Sequence, residues 1–181
     1  AQAWAEIEAE AKRTLKTLLA ARRLVDFEGP LGWTTAAVPT APAEKLSPPL
    51  QEGAVTRLRG VLPLTELRVP FEISRDELEA IGRGARDADL DPVRNAARAA
   101  GITEDRAIFR GYEPAGIVGI FEASASQSLS IPANYDAYPD VVAEATHRLP
   151  SEGVHGPYGI ALGPRCYTGL TRSTDRGYPI I

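Results

Sequence analysis

The stretch DPVRNAARAAGITEDRAIFRGYEPAGIVG, Asp91–Gly119, sets the frame for the rest of the chain. Asp91-Pro92 predicts a helix start, with an acid at the N-cap and proline at the first helical position, where its missing N–H is no loss. Val93, Ala97, Ala100, Glu104 and Ile108 then recur at steps of three and four, which places them on one face of a long helix. Gly101 is expected to be a weak point inside that helix and Gly111 to cap its end. Glu104 falls on the apolar stripe, so it needs either a partner or a chemical task. Arg94, Arg98, Arg106 and Arg110 are near enough in sequence to supply a partner, and a paired acid also fixes the register between packed elements. Beyond Gly111, Gly116-Ile117-Val118-Gly119 has neither a G-x-G-x-x-G spacing nor a G-K-[ST] ending, and it reads as a turn between apolar pieces rather than a phosphate loop.

Toward the N-terminus, Trp4, Ile7, Ala11, Leu15 and Leu18 mark an amphipathic helix whose acids come early and whose bases come late, an order that suits the helix dipole. Gly29-Pro30 and Gly32 interrupt regular structure. Four prolines between Pro39 and Pro49 are too many for a helix or a central strand, so this segment is expected to be a loop or an extended arm. From Ala54 to Ile73 the period becomes two, most clearly where Leu67, Val69, Phe71 and Ile73 alternate with Arg68, Pro70 and Glu72. That alternation predicts a strand with one buried face, and Pro63 and Pro70 push it to an edge. Ser74-Arg75-Asp76-Glu77 is a capping box opening a short helix through Leu78 and Ile81 that ends near Gly82 and Gly84. A further helix is expected over Pro139–Leu149 and a strand-like run over Tyr158–Leu162.

The totals exclude several classes. A chain of 181 residues with 44% hydrophobic content can bury one sizeable core or two small lobes. A net charge of -4, a pI near 5.3 and no basic cluster longer than the pair Arg22-Arg23 argue against a nucleic-acid partner. Cys166 stands alone, so neither an internal disulfide nor a thiolate metal cage is expected, and a reducing, cytoplasmic setting is the simplest reading. No apolar run approaches the ~18 residues that a membrane span requires. The lack of methionine reads as a natural start that is processed or missing, and the closing Gly177-Tyr178-Pro179-Ile180-Ile181 reads as a cut inside a domain.

Candidate chemistry is thin. Glu144 with His147 and Glu152 with His155 carry the i, i+3 spacing of di-iron bundles, but Pro150, Gly153 and Gly156 break the helix the second pair would need, and no four-helix pattern exists. Ser124, Ser126 and Ser128 have no nucleophile elbow, and Cys166 reads as a small buried hydrophobe. No metal site and no catalytic activity are expected.

Several blocks, taken together and in order over nearly the whole chain, resemble the encapsulins, the bacterial nanocompartment shell proteins also labelled linocin-type bacteriocins. They are AWAEIEAEAKRTLKTLLAARRLVDFEGPLGW, PLTELRVPFEISRDELEAIGRG, EDRAIFRGYEPAGIVGI, GPYGIAL and GYPII. The resemblance implies an α+β fold like the tailed-bacteriophage major capsid protein. Its parts would be an N-terminal helix region over 1–28, an extended loop or arm with its strand over 29–73, a peripheral domain with the long helix over 74–123, and an axial domain from 124 that is truncated at 181. The arm would overlap a neighbouring subunit.

The same resemblance implies a non-enzymatic subunit that self-assembles into a cytoplasmic icosahedral shell. The shell would enclose a dye-decolourising peroxidase or a ferritin-like iron-oxidising protein, held through a C-terminal targeting peptide. By position, Leu15, Leu19, Arg22 and Asp26 would meet that peptide in a shallow apolar groove with a charged rim. Thr174, Asp175, Arg176, Gly177 and Tyr178 would line a pore at the fivefold axis, where a charged ring biases ion passage. Glu104, Asp105 and Arg106 would be structural, pinning the long helix for assembly. Some members bind a flavin against an aromatic residue where this chain has Asp76, so no cofactor is expected. Two other classes stay open from sequence: a secreted bacteriocin or hydrolase acting as a monomer, and a prophage capsid subunit.

Overall fold

Apolar periodicity at the N-terminus forms α1 (Gln2–Leu18), and the chain continues through a 3-10 turn over Ala21–Arg23 into a two-stranded ribbon, β1 (Ala37–Lys45) and β2 (Arg57–Pro63). Then follow α2 (Arg75–Gly82), the long α3 (Asp91–Arg110), the one-turn α4 (Ile120–Ala123), α5 (Tyr138–Ser151), α6 (Pro164–Arg172) and a short pair, β3 (Thr174–Asp175) and β4 (Tyr178–Pro179). This computed structural model describes residues 2–124, 128–175 and 178–179, with backbone alone for 174–175 and 178–179. The architecture is α+β. Residues 1–26 and 71–181 form one unit and residues 27–70 another.

In the first unit α1 packs on α2 and α3 around Ile7, Ile81, Leu90 and Val93, with Ala3, Ala11, Ile73 and Ala88 against them. Trp4, expected on the apolar stripe, is instead exposed. Burial falls on Ile7 and on Glu10, whose carboxylate is 3% exposed and accepts from Arg13 on its own helix and from Arg94 of α3 at 3.2 Å. Gly101, read from sequence as a weak point, has a packing reason. A Cβ there would lie 3.3 Å from Leu18 Cβ and 3.5 Å from Leu15 Cδ2, so glycine lets α1 approach α3 closely.

The capping box forms as expected: Ser74 Oγ accepts the Glu77 N–H at 3.2 Å. At the other end of α2, Gly84 takes φ 89°, its N–H bonds to Ile81 C=O, and Ala85 N–H reaches Ala80 C=O, a Schellman closure. Asp91 is not the N-cap of α3. Leu90 holds that position, and the Asp91 carboxylate instead accepts from Arg94, a pairing possible once the acid lies one turn before the arginine. Gly111 ends α3 at φ 79° with its N–H on Ala107 C=O, as expected.

Two strand expectations need correction, while the proline-rich segment takes the second of the two forms expected of it, an extended arm, since β1 runs through Pro39 and Pro42. A two-stranded ribbon consists only of edges, and the register shift between Thr40 and Glu44 takes up the residues around Pro42. The alternating stretch Leu67–Ile73 lies outside any strand, the ladder having ended at Pro63. Tyr158–Leu162 is likewise without a ladder. In both, the side-chain pattern of a strand is present while no partner strand lies among the described residues. The helix α6 was not expected at all, although Gly163-Pro164 at its start and Arg172 in its last turn are ordinary helix signals.

Candidate functional site

The residues that sequence reading singled out converge on the joint between α1 and the second half of α3. Asp105 turns its carboxylate onto the backbone where α1 ends. Oδ2 accepts the Ala20 N–H at 3.1 Å and Oδ1 the Ala21 N–H at 3.0 Å, which caps the 3-10 turn from outside, a turn whose own N-cap residue Ala20 has no side-chain acceptor to offer. Ala21 is fully buried beneath this cap. Next to it, Glu104 receives Arg22 in a two-pronged ion pair, Nη2 to Oε2 at 2.7 Å and Nε to Oε1. The hydrogen bond that Arg22 donates to Glu104 holds its guanidinium above its ordinary range, against the opposing effect of burial. Glu104 and Asp105 thus have the partners that their place on the helix demanded. Arg106 is exposed.

Of the four residues assigned to a targeting peptide, Leu15 is half-buried facing Gly101, Leu19 is half-buried one turn on, Arg22 is engaged by Glu104, and Asp26 is exposed. Beside them lies a groove of about 730 Å³ that none of the four lines. Leu24, Ile102, Phe109, Phe121, Ile160 and Leu162 supply its apolar floor. Phe109 and Phe121 stack at 5.8 Å between ring centroids. Arg23, Arg106 and Arg110 stand at its margin. Sequence reading missed Phe109 and Phe121 because one sits one step off the marked stripe and the other beyond a glycine-rich turn.

That turn is built to bring Phe121 back. Gly111–Gly119 folds into a tight reversal: Tyr112 and Ile117 exchange both backbone hydrogen bonds, at 2.8 and 3.1 Å, around a 3-10 turn over Glu113–Ala115 closed by Gly116 at φ 66°. It is the expected turn between apolar pieces.

The residues assigned to a pore fall at the end of the chain. Thr174 pairs with Pro179 and Asp175 with Tyr178, an antiparallel reversal. Arg176 and Gly177 lie outside the described residues. Asp76 is exposed in the first turn of α2, where a negative charge suits the helix N-terminus. The spacing of Glu144 and His147 brings no joint site, since Glu144 pairs with Arg148 one turn on. Cys166 is half-buried beside Tyr138, and its hydrogen bond, followed by burial, pushes the Tyr138 phenol above its usual range. No helix among the described residues is long and apolar enough to cross a membrane.

Comparison with known proteins places these features in one family. The model of the family described as "Encapsulating protein for peroxidase" matches residues 1–181. The chain is 50% identical to a type 1 encapsulin shell protein of Rhodospirillum rubrum over 187 aligned residues, covering 100% of this chain and 67% of that protein. It is 45% identical to the type 1 encapsulin shell protein of Mycolicibacterium paratuberculosis, covering 99% of this chain and 67% of that one, and 42% identical to that of Rhodococcus erythropolis, covering 99% and 68%. The chain therefore spans about two thirds of the length of these relatives. With a match along its whole length and relatives well above chance identity, the chain belongs to the family of encapsulin shell proteins.

Proposed function

We propose that this chain is a structural subunit that assembles with copies of itself into a closed, icosahedral, cytoplasmic nanocompartment around a cargo enzyme. The observation that carries this reading is the family match over residues 1–181, whose description names peroxidase as what is enclosed. The exposed apolar side chains support it: Val38, Leu58, Leu62 and Leu64 on the ribbon and Phe121 and Ile160 in the groove are surfaces of the kind that neighbouring subunits cover. The order of elements, helix, ribbon, capped short helix and long helix, agrees with a capsid-like fold. The cargo peptide is assigned to Leu15, Leu19, Arg22 and Asp26. A peroxidase is the favoured cargo, with a ferritin-like protein as the other, and no flavin is assigned because Asp76 offers no aromatic face.

Electron microscopy of the purified protein, combined with mass spectrometry of whatever co-purifies, tests the reading. Closed particles containing a second protein are expected. A protein that stays monomeric across the concentration range of the experiment overturns it.

The reversal at Thr174–Tyr178 is assigned to the fivefold pore, since symmetry would set Asp175 and Arg176 as charged rings around an opening. Shells of Asp175→Ala and Arg176→Ala are expected to change the rate at which metal ions reach an enclosed reporter, in opposite directions for cations. Unchanged rates in both would remove the pore role.

A further inference from the structure

One face of α6 carries two arginines that nothing among the described residues neutralises. Arg165 and Arg172 are separated by close to two helical turns, so their side chains leave α6 in nearly the same direction, about 10 Å apart along its axis. Arg22, Arg94 and Arg148 each pair with a carboxylate, whereas Arg165 and Arg172 have neither an ion pair nor a side-chain hydrogen bond among the described residues. Arg165 is also poorly placed for the helix itself. It lies in the first turn, where a cation opposes the helix dipole, and α6 has no acid there to offset it. In a chain with more acids than bases, local structure gives no reason for this pair.

The space between the two arginines is hollow. Thr168 and Gly169, one turn after Arg165, line it together with Tyr135, around about 410 Å³, and no acid borders it. That volume falls in the range of about 300–1,000 Å³ usual for small-ligand sites. Gly169 is what lets Tyr135 form a wall. A Cβ at this position would overlap the Tyr135 ring, so glycine allows the phenol to lie against α6, where its hydroxyl reaches Arg165 C=O at 3.4 Å. Thr168 differs from Thr146 and Thr171, whose hydroxyls donate to the carbonyl four residues back. Its own hydroxyl makes no hydrogen bond among the described residues and is left to serve a ligand.

We propose that this hollow binds a diphosphate-class anion, with one guanidinium on each phosphoryl group and the Thr168 hydroxyl between them. Planar guanidinium forks match phosphoryl oxygens two at a time, which a point charge does not. Stems about 10 Å apart, leaning inward on flexible arms, span two linked phosphoryl groups better than one. Every lining residue belongs to one unit of one chain, so the site needs no second copy.

Isothermal titration calorimetry of the full chain with pyrophosphate, ADP and inorganic phosphate, at fixed ionic strength, tests this. One saturable site per chain is expected for pyrophosphate, about tenfold or more tighter than for inorganic phosphate, because only the diphosphate engages both arginines. Arg165→Gln and Arg172→Gln are each expected to weaken pyrophosphate binding about tenfold or more, and Thr168→Val about fivefold. Far-UV circular dichroism is expected to stay unchanged, since all three side chains are exposed. Lysine at both arginine positions keeps the charge but loses the fork, and its affinity is expected to fall between wild type and the glutamine variants. Tighter binding of ADP than of pyrophosphate would assign the group as nucleoside-borne, and equal or weaker binding would assign the free anion, either of which supports the site. The inference is overturned by a wild-type chain without saturable pyrophosphate binding, by unchanged affinity in both glutamine variants, or by phosphate binding as tightly as pyrophosphate. None of these readouts depends on particle formation, so this inference and the shell reading fail separately.

Discussion

Gly119→Ala is expected to destabilise the first unit by about 3 kcal/mol or more, lowering Tm by roughly 10 °C, if the fold is reached at all. The end of α3 and the returning strand of the turn are stacked backbone on backbone. A Cβ on Gly119 would overlap the Gly111 nitrogen and the Arg110 backbone, and a Cβ on Gly111 would lie 2.7 Å from Ile117 O and 2.8 Å from Gly119 N. No side chain can rotate away to relieve these contacts, because the obstructing atoms are main chain. The turn must open, and with it go the Tyr112–Ile117 hydrogen bonds and the Phe109–Phe121 stack that floors the groove. Gly116→Ala is the contrasting case. Gly116 is left-handed at φ 66° with nothing within 4 Å, whereas Gly119 is extended at φ −81° and crowded, so Gly116→Ala carries the conformational cost alone, about 1 kcal/mol. Thermal denaturation of the two variants side by side decides the matter: a cost for Gly119→Ala no larger than that for Gly116→Ala would show that close approach of backbone is not what makes glycine necessary at 119.

What could be read from the sequence is local. Ser74 with Glu77, the step-of-three-and-four stripe of α3, and Gly111 at its end depend on residues within a few positions of each other, and each formed as expected. What failed depended on a partner. Leu67–Ile73 and Tyr158–Leu162 carry the alternation of strands, but alternation describes two faces and says nothing about who completes the ladder. The extended arm through Pro39 and Pro42 could be foreseen because proline is excluded only where both edges of a strand are used. The candidate site shows the same division. The stripe placed Glu104 where it needed a partner, yet its partner Arg22 lies 82 residues away, and the role of Asp105 depends on backbone N–H groups that carry no sequence signature at all. Family resemblance pointed to the end of α1 and the long helix, while the apolar floor of the groove beside them came from Phe109 and Phe121, which only the turn brings together.

That division predicts which of the two adjacent acids matters more. Asp105→Ala is expected to cost about 2 to 3 kcal/mol, because it leaves the N–H groups of Ala20 and Ala21 without an acceptor at the start of a turn whose second residue is fully buried. Asp105→Asn retains one acceptor oxygen and should recover roughly half of that loss. Glu104→Gln removes a charge from a pair in which both side chains are about one third exposed, so about 1 kcal/mol or less is expected, and less still in high salt. Both acids act on the same short joint, so the double substitution should differ from the sum of the singles by about 0.5 kcal/mol or more. Chemical denaturation of the four proteins measures these terms. The same joint positions Arg22 and Leu19, so loss of the Asp105 cap should also loosen the segment assigned to the cargo peptide, read as weaker retention of cargo by shells that still form. A Glu104→Gln variant as unstable as Asp105→Ala would mean that the ion pair, and not the borrowed helix cap, holds α1 to α3.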